Sequence, residues 1–184
     1  MKGVLTMAIA TTPLPYGLRD VKVALLDTAD APGTKVDLPV SQTFSFSEAE
    51  EYVELRGDDK VVAIRGKGPK VAWELEAGGI SLQAYAVIAG GTLSLTGVTP
   101  NQVRKVNKKV TDVRPYFYTE GQVISDSGGD FHAKVYKCRA DSDVQGDFKD
   151  GEFAMLSLSG TGIGHSSTDD LYDLIHNETT TAIV

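Results

Sequence analysis

The sequence predicts a mainly β chain: a β-sandwich or partly open barrel of antiparallel strands with one flanking α-helix, extended N- and C-terminal arms and a long loop near the start. Three observations predict it. Short segments alternating apolar and polar residues recur along the chain, with the period of half-buried strands. Clusters of Gly, Pro, Asp and Asn separate them as turns. Only one stretch changes to helical spacing: within about 79–90, Ile80, Ala84, Val87 and Ile88 stand at i, i+4, i+7 and i+8.

Residues 1–18 hold Pro13 and Pro15 and keep no period, so they read as an N-terminal arm. The β domain spans 19–160. Its first strand, 19–26, sets Val21, Val23 and Leu25 against Lys22 and Ala24, and a polar loop follows over 27–39. Loops of that length in compact domains tend to be functional or ordered by a partner. Residues 40–46 extend, and 49–64 read as a hairpin turning at Arg56-Gly57-Asp58-Asp59, with Glu50, Tyr52 and Glu54 on one side and Val53 and Leu55 on the other. A turn at Gly66 to Pro69 precedes the strand 71–77, whose Val71, Trp73, Leu75 and Ala77 share a face. Gly78-Gly79 and Gly90-Gly91 bound the helix, which is too short to stand alone and is expected to lie on the Trp73 face.

Residues 92–96 form a short strand. In 102–110 the spacing of Val103, Val106 and Val110 suits a helix, but the β-branched content favours a strand, which is the expectation here. The aromatic-rich stretch 114–124, a turn at Asp126 to Asp130, the strand 131–140, a turn-rich loop 141–151 and a strand 152–158, buried on both sides, complete the domain. Residues 161–184 open with a Gly/Ser/Thr-rich linker and end β-prone, as a C-terminal arm that docks by strand addition.

Eighteen Lys and Arg against twenty-five Asp and Glu give a net charge of −7, which argues against an extended phosphate-gripping surface while leaving DNA open as cargo. The single cysteine, Cys138, has no intramolecular disulfide partner and reads as a small buried strand residue. No apolar run approaches the ~18 residues that span a bilayer, so no membrane partner is expected. Thr6 interrupts the short apolar patch at the N-terminus, which is not read as a signal peptide.

Residues 141–152 match a calcium loop in part: Asp141, Asp143, Gln145, Asp147 and Glu152 fall at ligand positions, around Gly146. Gln145 is neutral and the flanks read as strands rather than helices, so an acidic loop between strands explains the same letters and no metal is expected. Arg56-Gly57-Asp58 is what a hairpin turn wants. Asn177-Glu178-Thr179 is a formal glycosylation acceptor, and Gly160 to Gly164 reads as a linker rather than a phosphate loop. His132, His165 and His176 have no metal spacing and read as surface or strand residues. No nucleophile elbow is present, so neither catalysis nor a cofactor is expected. Arg104, Lys105, Lys108 and Lys109 form a basic cluster without interleaved aromatics, which favours a subunit contact over nucleic acid.

Several stretches, in order, carry a family likeness: the strand, Gly78-Gly79 and helix unit; Gly97 to Gln102; Asp112 to Phe117 with Glu120-Gly121-Gln122; the hairpin from Ser125 to Phe131; Lys149 to Phe153; and Leu171 to Thr179. From about Val40 onward the chain resembles the major tail tube proteins of long-tailed, siphovirus-type bacteriophages. The resemblance implies a non-enzymatic virion protein, made in the host bacterial cytoplasm, that forms stacked hexameric rings and a hollow tail tube for viral DNA. It also implies partners: copies of itself, a tape measure protein, a tail terminator, and baseplate or distal tail proteins, with DNA as transient cargo bound without sequence preference.

Within that frame the acidic residues Glu50, Glu54, Asp58 and Asp59 are candidates to face the lumen, and an acidic lumen repels phosphates. Leu82, Tyr85 and Ala89, off the helix's main stripe, are subunit-contact candidates along with the basic cluster. The alternative is a monomeric β-sandwich module binding carbohydrate or protein through Tyr116 and Tyr118.

Overall fold

The computed structural model describes residues 12–146 and 149–184. Among them, eleven strands and one helix run in the order β1 (Pro15–Leu25), β2 (Val36–Asp37), β3 (Ser41–Gly57), β4 (Lys60–Gly78), α1 (Leu82–Ala89), β5 (Thr92–Thr96), β6 (Val103–Asn107), β7 (Phe117–Ser125), β8 (Asp130–Ala140), β9 (Gln145–Gly146), β10 (Met155–Ile163) and β11 (Tyr172–Asn177). The main sheet is antiparallel in the order β2-β1-β7-β8-β10-β4-β3, with β11 added to β8 and β9 to β10, and β5-β6 form a separate hairpin. The chain is mainly β, as the alternating pattern predicts.

The ends of the sheet curl back toward each other. β1 and β3 come within contact distance, yet among the described residues no ladder joins them, so the sheet is curled and open rather than a closed barrel. Its concave side holds the core: Val21, Val23, Val71, Trp73, Leu75, Phe117, Val135, Cys138, Leu156 and Leu158 are buried together with Ala84 and Ile88 of the helix. Trp73 and Phe117 meet edge to face at 5.2 Å. Cys138 is fully enclosed, and burial pushes its thiol well up, so it behaves as a core residue.

The helix forms where its period and caps agree. The Ser81 hydroxyl accepts from Ala84 N, and Gly90, at φ 77°, turns the chain so that its N–H returns to Ala86 O. A Cβ at Gly90 would lie 3.0 Å from Val113 O, so both conformation and space call for glycine. The Lys108 ammonium donates to Ala89 O at 2.7 Å, placing positive charge at the negative end of the helix. The helix packs chiefly on β1, with β2, β5, β6 and β8 around it, not on β4 as expected. Curling of the sheet brings β1 over the core, and Ala84 and Ile88 enter the same cluster as Trp73 from that side.

Several boundaries differ from the sequence reading. Residues 15–18, assigned to an arm, begin β1 and pair with β7, and residues 1–11 lie outside the described part. The loop 27–39 is tied down by its own chain: Asp30 is buried and accepts from Lys137 Nζ at 2.6 Å and from Ser166 N at 3.0 Å, and β2 pairs with β1. Gly66 to Pro69 is no turn. It forms a bulge inside β4, where one extra residue faces the step from Glu50 to Tyr52 and Gly68 takes φ 94°, so the hairpin of 49–64 is the distal part of a much longer one. The 102–110 stretch is strand only over β6. Residues 160–163, read as linker, belong to β10, whose two glycines let it lie between β4 and β8; Phe153, expected to be buried, is exposed. The C-terminal segment does dock by strand addition, onto β8 of its own chain.

Candidate functional site

The feature with no structural use in a single copy is the outer half of the β3–β4 hairpin, residues 49–69, here called the ribbon. Among the described residues, β10 pairs with β4 only from Val71 onward, and β3 pairs with no strand but β4. Both edges of the ribbon are therefore open, with their N–H and C=O groups free to pair. Its turn has two residues, Asp58 and Asp59, both at positive φ (49° and 61°), between the paired Gly57 and Lys60. That is the primed turn whose twist matches the flanking strands. Tyr52, Val53, Leu55, Val61, Val62 and Ile64 are all large, apolar and 46–66% exposed. Isolated two-stranded ribbons are marginal in water, and apolar residues on both faces invite a partner.

The acidic candidates all lie on this ribbon. Glu54 pairs with Arg56 within the same strand at 2.8 Å, and Asp58 and Asp59 form the tip. Glu50 folds back over Gly66, where its carboxylate raises the Tyr52 hydroxyl through a hydrogen bond and its charge. Alternation along β3 puts Glu50, Tyr52 and Glu54 on the face that carries Phe44 and Phe46, which pack against the core. The opposite face of the sheet is polar and acidic. There Ser45 and Ser159 flank Glu74, Ser157 and Thr43 flank Glu76, and Thr43 Oγ1 donates to Glu76 Oε2 at 3.0 Å.

The other candidates scatter. Ala89 is buried inside the chain and presents no side chain to a neighbour. Tyr85 is half-buried against the core, while Leu82 lines a groove with Ile80, Leu93, Leu95 and Arg104 between the helix start and the β5-β6 hairpin. The basic cluster splits: Arg104 faces that groove, Lys105 lies on the other face of β6, Lys108 caps the helix, and Lys109 donates its backbone N–H to Asp112. In the calcium-like loop, Asp141 accepts from Thr161 Oγ1, Asp143 and Glu152 are exposed, Gln145 starts β9, and Asp147 lies outside the described residues. The flanks are β8 and β10, not helices. Among the described residues no His, Cys, Asp or Glu group of three is placed to hold a metal. The tyrosine platform does not form: Tyr118 is buried, and Lys137 and Arg139 cover the Tyr116 ring at 5.0 and 5.2 Å.

Sequence reasoning missed one cluster. His132, read as a surface or strand residue, is 4% exposed and clamped between two carboxylates, with Nδ1 2.9 Å from Glu120 Oε1 and Nε2 3.1 Å from Asp130 Oδ2. Glu120 Oε2 also accepts from Tyr118 Oη at 2.6 Å and Lys35 Nζ at 3.0 Å, and Lys134 Nζ stands 3.8 Å from Oε1. Asp130 accepts from Gln122 Nε2 at 2.5 Å, Asn177 Nδ2 at 2.8 Å and Thr181 N at 2.8 Å. The network joins the 27–39 loop, β7, β8 and the C-terminal segment. Walled off from solvent, it holds elements together and offers no place for a substrate.

Among the described residues no helix is long and apolar enough to cross a membrane. A scan against protein-family models and a search of curated proteins each return no match.

Proposed function

We propose that this chain is a structural subunit that assembles with copies of itself into stacked rings, forming a hollow tube through which DNA passes, in the manner of the bacteriophage tail tube proteins it resembles. One observation carries the reading: a ribbon with two open edges and six exposed apolar side chains, which none of the described residues covers. Tape measure, terminator and distal tail proteins belong to the same reading as partners, and the virion as its place.

In such a ring the core side of the sheet lies outside the channel, so the channel takes the polar face. That assigns the lumen to Glu74 and Glu76 with Thr43, Ser45, Ser157 and Ser159, in place of Glu50 and Glu54 on the opposite face. Fixed negative charge repels phosphates, and the small hydroxyl side chains leave no stacking surface for bases.

Negative-stain electron microscopy of the concentrated protein, with sedimentation velocity, tests the reading. Rings or tubes are expected, and a species that stays monomeric up to millimolar concentration overturns it. Tubes of the Glu74→Lys, Glu76→Lys double variant are expected to form and to retain short fluorescent duplex DNA on pelleting, whereas unaltered tubes release it. Equal retention by both sinks the lumen assignment.

A further inference from the structure

Both ends of the described chain fasten to one turn, residues 126–129 between β7 and β8. On the N-terminal side, Leu14 N donates to Ser125 Oγ at 2.9 Å and to Ser127 Oγ at 3.2 Å, Ser127 Oγ donates to Thr12 O at 3.0 Å, and Asp126 N donates to Leu14 O at 2.9 Å. On the C-terminal side, the Asp130 carboxylate accepts from Asn177 Nδ2 and from Thr181 N, each at 2.8 Å, and Gln122 Nε2 donates to Thr181 O at 3.0 Å. The tail beyond β11, residues 178–184, is exposed except at Ile183, so Asp130 is its chief polar fastening.

The turn between these fastenings has little stiffness of its own. Gly128 and Gly129 take φ 99° and 72°, and glycine loses the most conformational freedom on being fixed. Gly129 is held from outside by the tail: a Cβ there would lie 1.9 Å from Asn177 O and 2.9 Å from Glu178 C, so the tail backbone lies directly against it. Ser125 and Ser127, which hold Leu14, stand at the other side of the same turn, 2.8 Å apart between their hydroxyls, and Ser125 N donates across it to Gly129 O at 3.2 Å. We propose that this turn couples the two ends of the chain: the docked tail fixes Gly129, the turn so fixed sets Ser125 and Ser127 to receive Leu14, and lifting the tail frees the N-terminal side. The coupling is reciprocal. A partner that takes hold of residues 178–184 thereby releases residues 12–14 for a contact of their own. The device is independent of the ribbon and of self-assembly.

Hydrogen exchange of the full-length chain as a monomer, read at single-amide resolution by mass spectrometry with electron-transfer fragmentation, tests this. Thr181→Pro deletes the N–H that Asp130 accepts, at an exposed position. It is expected to speed exchange of the Ile183 amide about tenfold or more, and exchange at Leu14 and Asp126 roughly fivefold, with Leu156 and Leu158 of β10 unchanged. Thr181→Ala keeps the N–H and is expected to leave all of them at the rates of the unaltered chain. In the reverse direction, Ser127→Ala is expected to speed exchange at Leu14 and, through the turn, at Thr181. A faster Ile183 with Leu14 and Asp126 unmoved, or a Thr181 indifferent to Ser127→Ala, overturns the coupling. An Ile183 amide unchanged in Thr181→Pro overturns the fastening on Asp130, and Leu156 and Leu158 speeding up in step with Leu14 replaces the coupling with a general loosening of the fold.

Discussion

His132 is the residue whose surroundings most directly fix how stability depends on pH. Burial by itself pushes its imidazole down, but hydrogen bonds to Glu120 and Asp130, and the charge of both, raise it above the ordinary 6.5. A raised histidine contributes fully below its unfolded value and loses that contribution as pH climbs through the folded one. Asp130 runs the other way. Burial pushes it up, yet bonds from Thr181 N, Asn177, His132 and Gln122 hold it at about 2, so its contribution is full above the ordinary 3.8 and is lost as pH falls below 3.8 toward about 2. Glu120 is likewise held below its ordinary 4.5 against burial by His132, Tyr118 and Lys35. The thermal midpoint is therefore expected to be highest between about pH 4.5 and 6.5 and to drop on the alkaline side. His132→Gln leaves two buried carboxylates short of a positive partner, at a cost of about 3–5 kcal/mol, and flattens the alkaline limb. Melting curves of both chains across pH check this, and a wild-type midpoint unchanged from about pH 5.5 to 8.5 removes it. The cluster is written in the sequence as Glu120 and Gln122 on one strand and Asp130, His132 and Lys134 on the next, all at spacing two. It becomes legible only with the β7–β8 register, which sets Gln122 against His132 and Glu120 against Lys134.

At the scale of elements, two glycines decide how closely the layers approach. A Cβ on Gly121 of β7 would lie 2.1 Å from Phe44 Cδ1, a side-chain atom able to swing, whereas on Gly160 of β10 it would lie 2.1 Å from the Arg139 carbonyl oxygen. Gly121→Ala is expected to cost about 1–3 kcal/mol and Gly160→Ala more, since backbone gives way less easily than a ring. Urea denaturation ranks them, and the reverse order contradicts the packing. The turn of the ribbon carries its own strain: Asp59 holds φ 61° without being glycine. Asp59→Gly is expected to stabilise the ribbon by about 1 kcal/mol, seen as roughly fivefold slower amide exchange across 49–69 with the core unchanged. The helix was legible because its period and the bounding Gly90 agree; the Ser81 cap shows only in the fold. Gly66 to Pro69 was not, because Gly-x-Gly-Pro marks a bulge and a turn with the same letters, and only pairing on both sides distinguishes them. Phe153 misled for a similar reason: an apolar letter within an alternating run states a period, not a partner, and β10 begins after it.

For the whole molecule, the sheet divides into a part that folds the chain and a part that, on the proposed function, waits for a neighbour. The folding part is closed by contacts far apart in sequence, such as Asp30 with Lys137 and Ser166, and Asp130 with Thr181. No local pattern announces these, which is why the 27–39 loop read as functional or ordered by a partner when its own chain orders it. The waiting part was half legible: the hairpin and its acidic strand were visible, but its length, open edges and distance from the core belong to the register alone. If the ribbon serves only association, removing it leaves the fold intact. Ala49 pairs with Lys70, so replacing residues 50–69 with Asn-Gly closes a two-residue primed turn directly on the core sheet. Those twenty residues contribute no side chain to the buried core cluster. The shortened chain is expected to melt within about 4 °C of the full one and to keep the pH dependence set by His132. It is also expected to sediment as a monomer at concentrations where the full chain assembles. A shortened chain that fails to fold places the ribbon in the folding unit, and one that still forms tubes places the contact elsewhere. Folded monomers leave the ribbon as the element through which copies join.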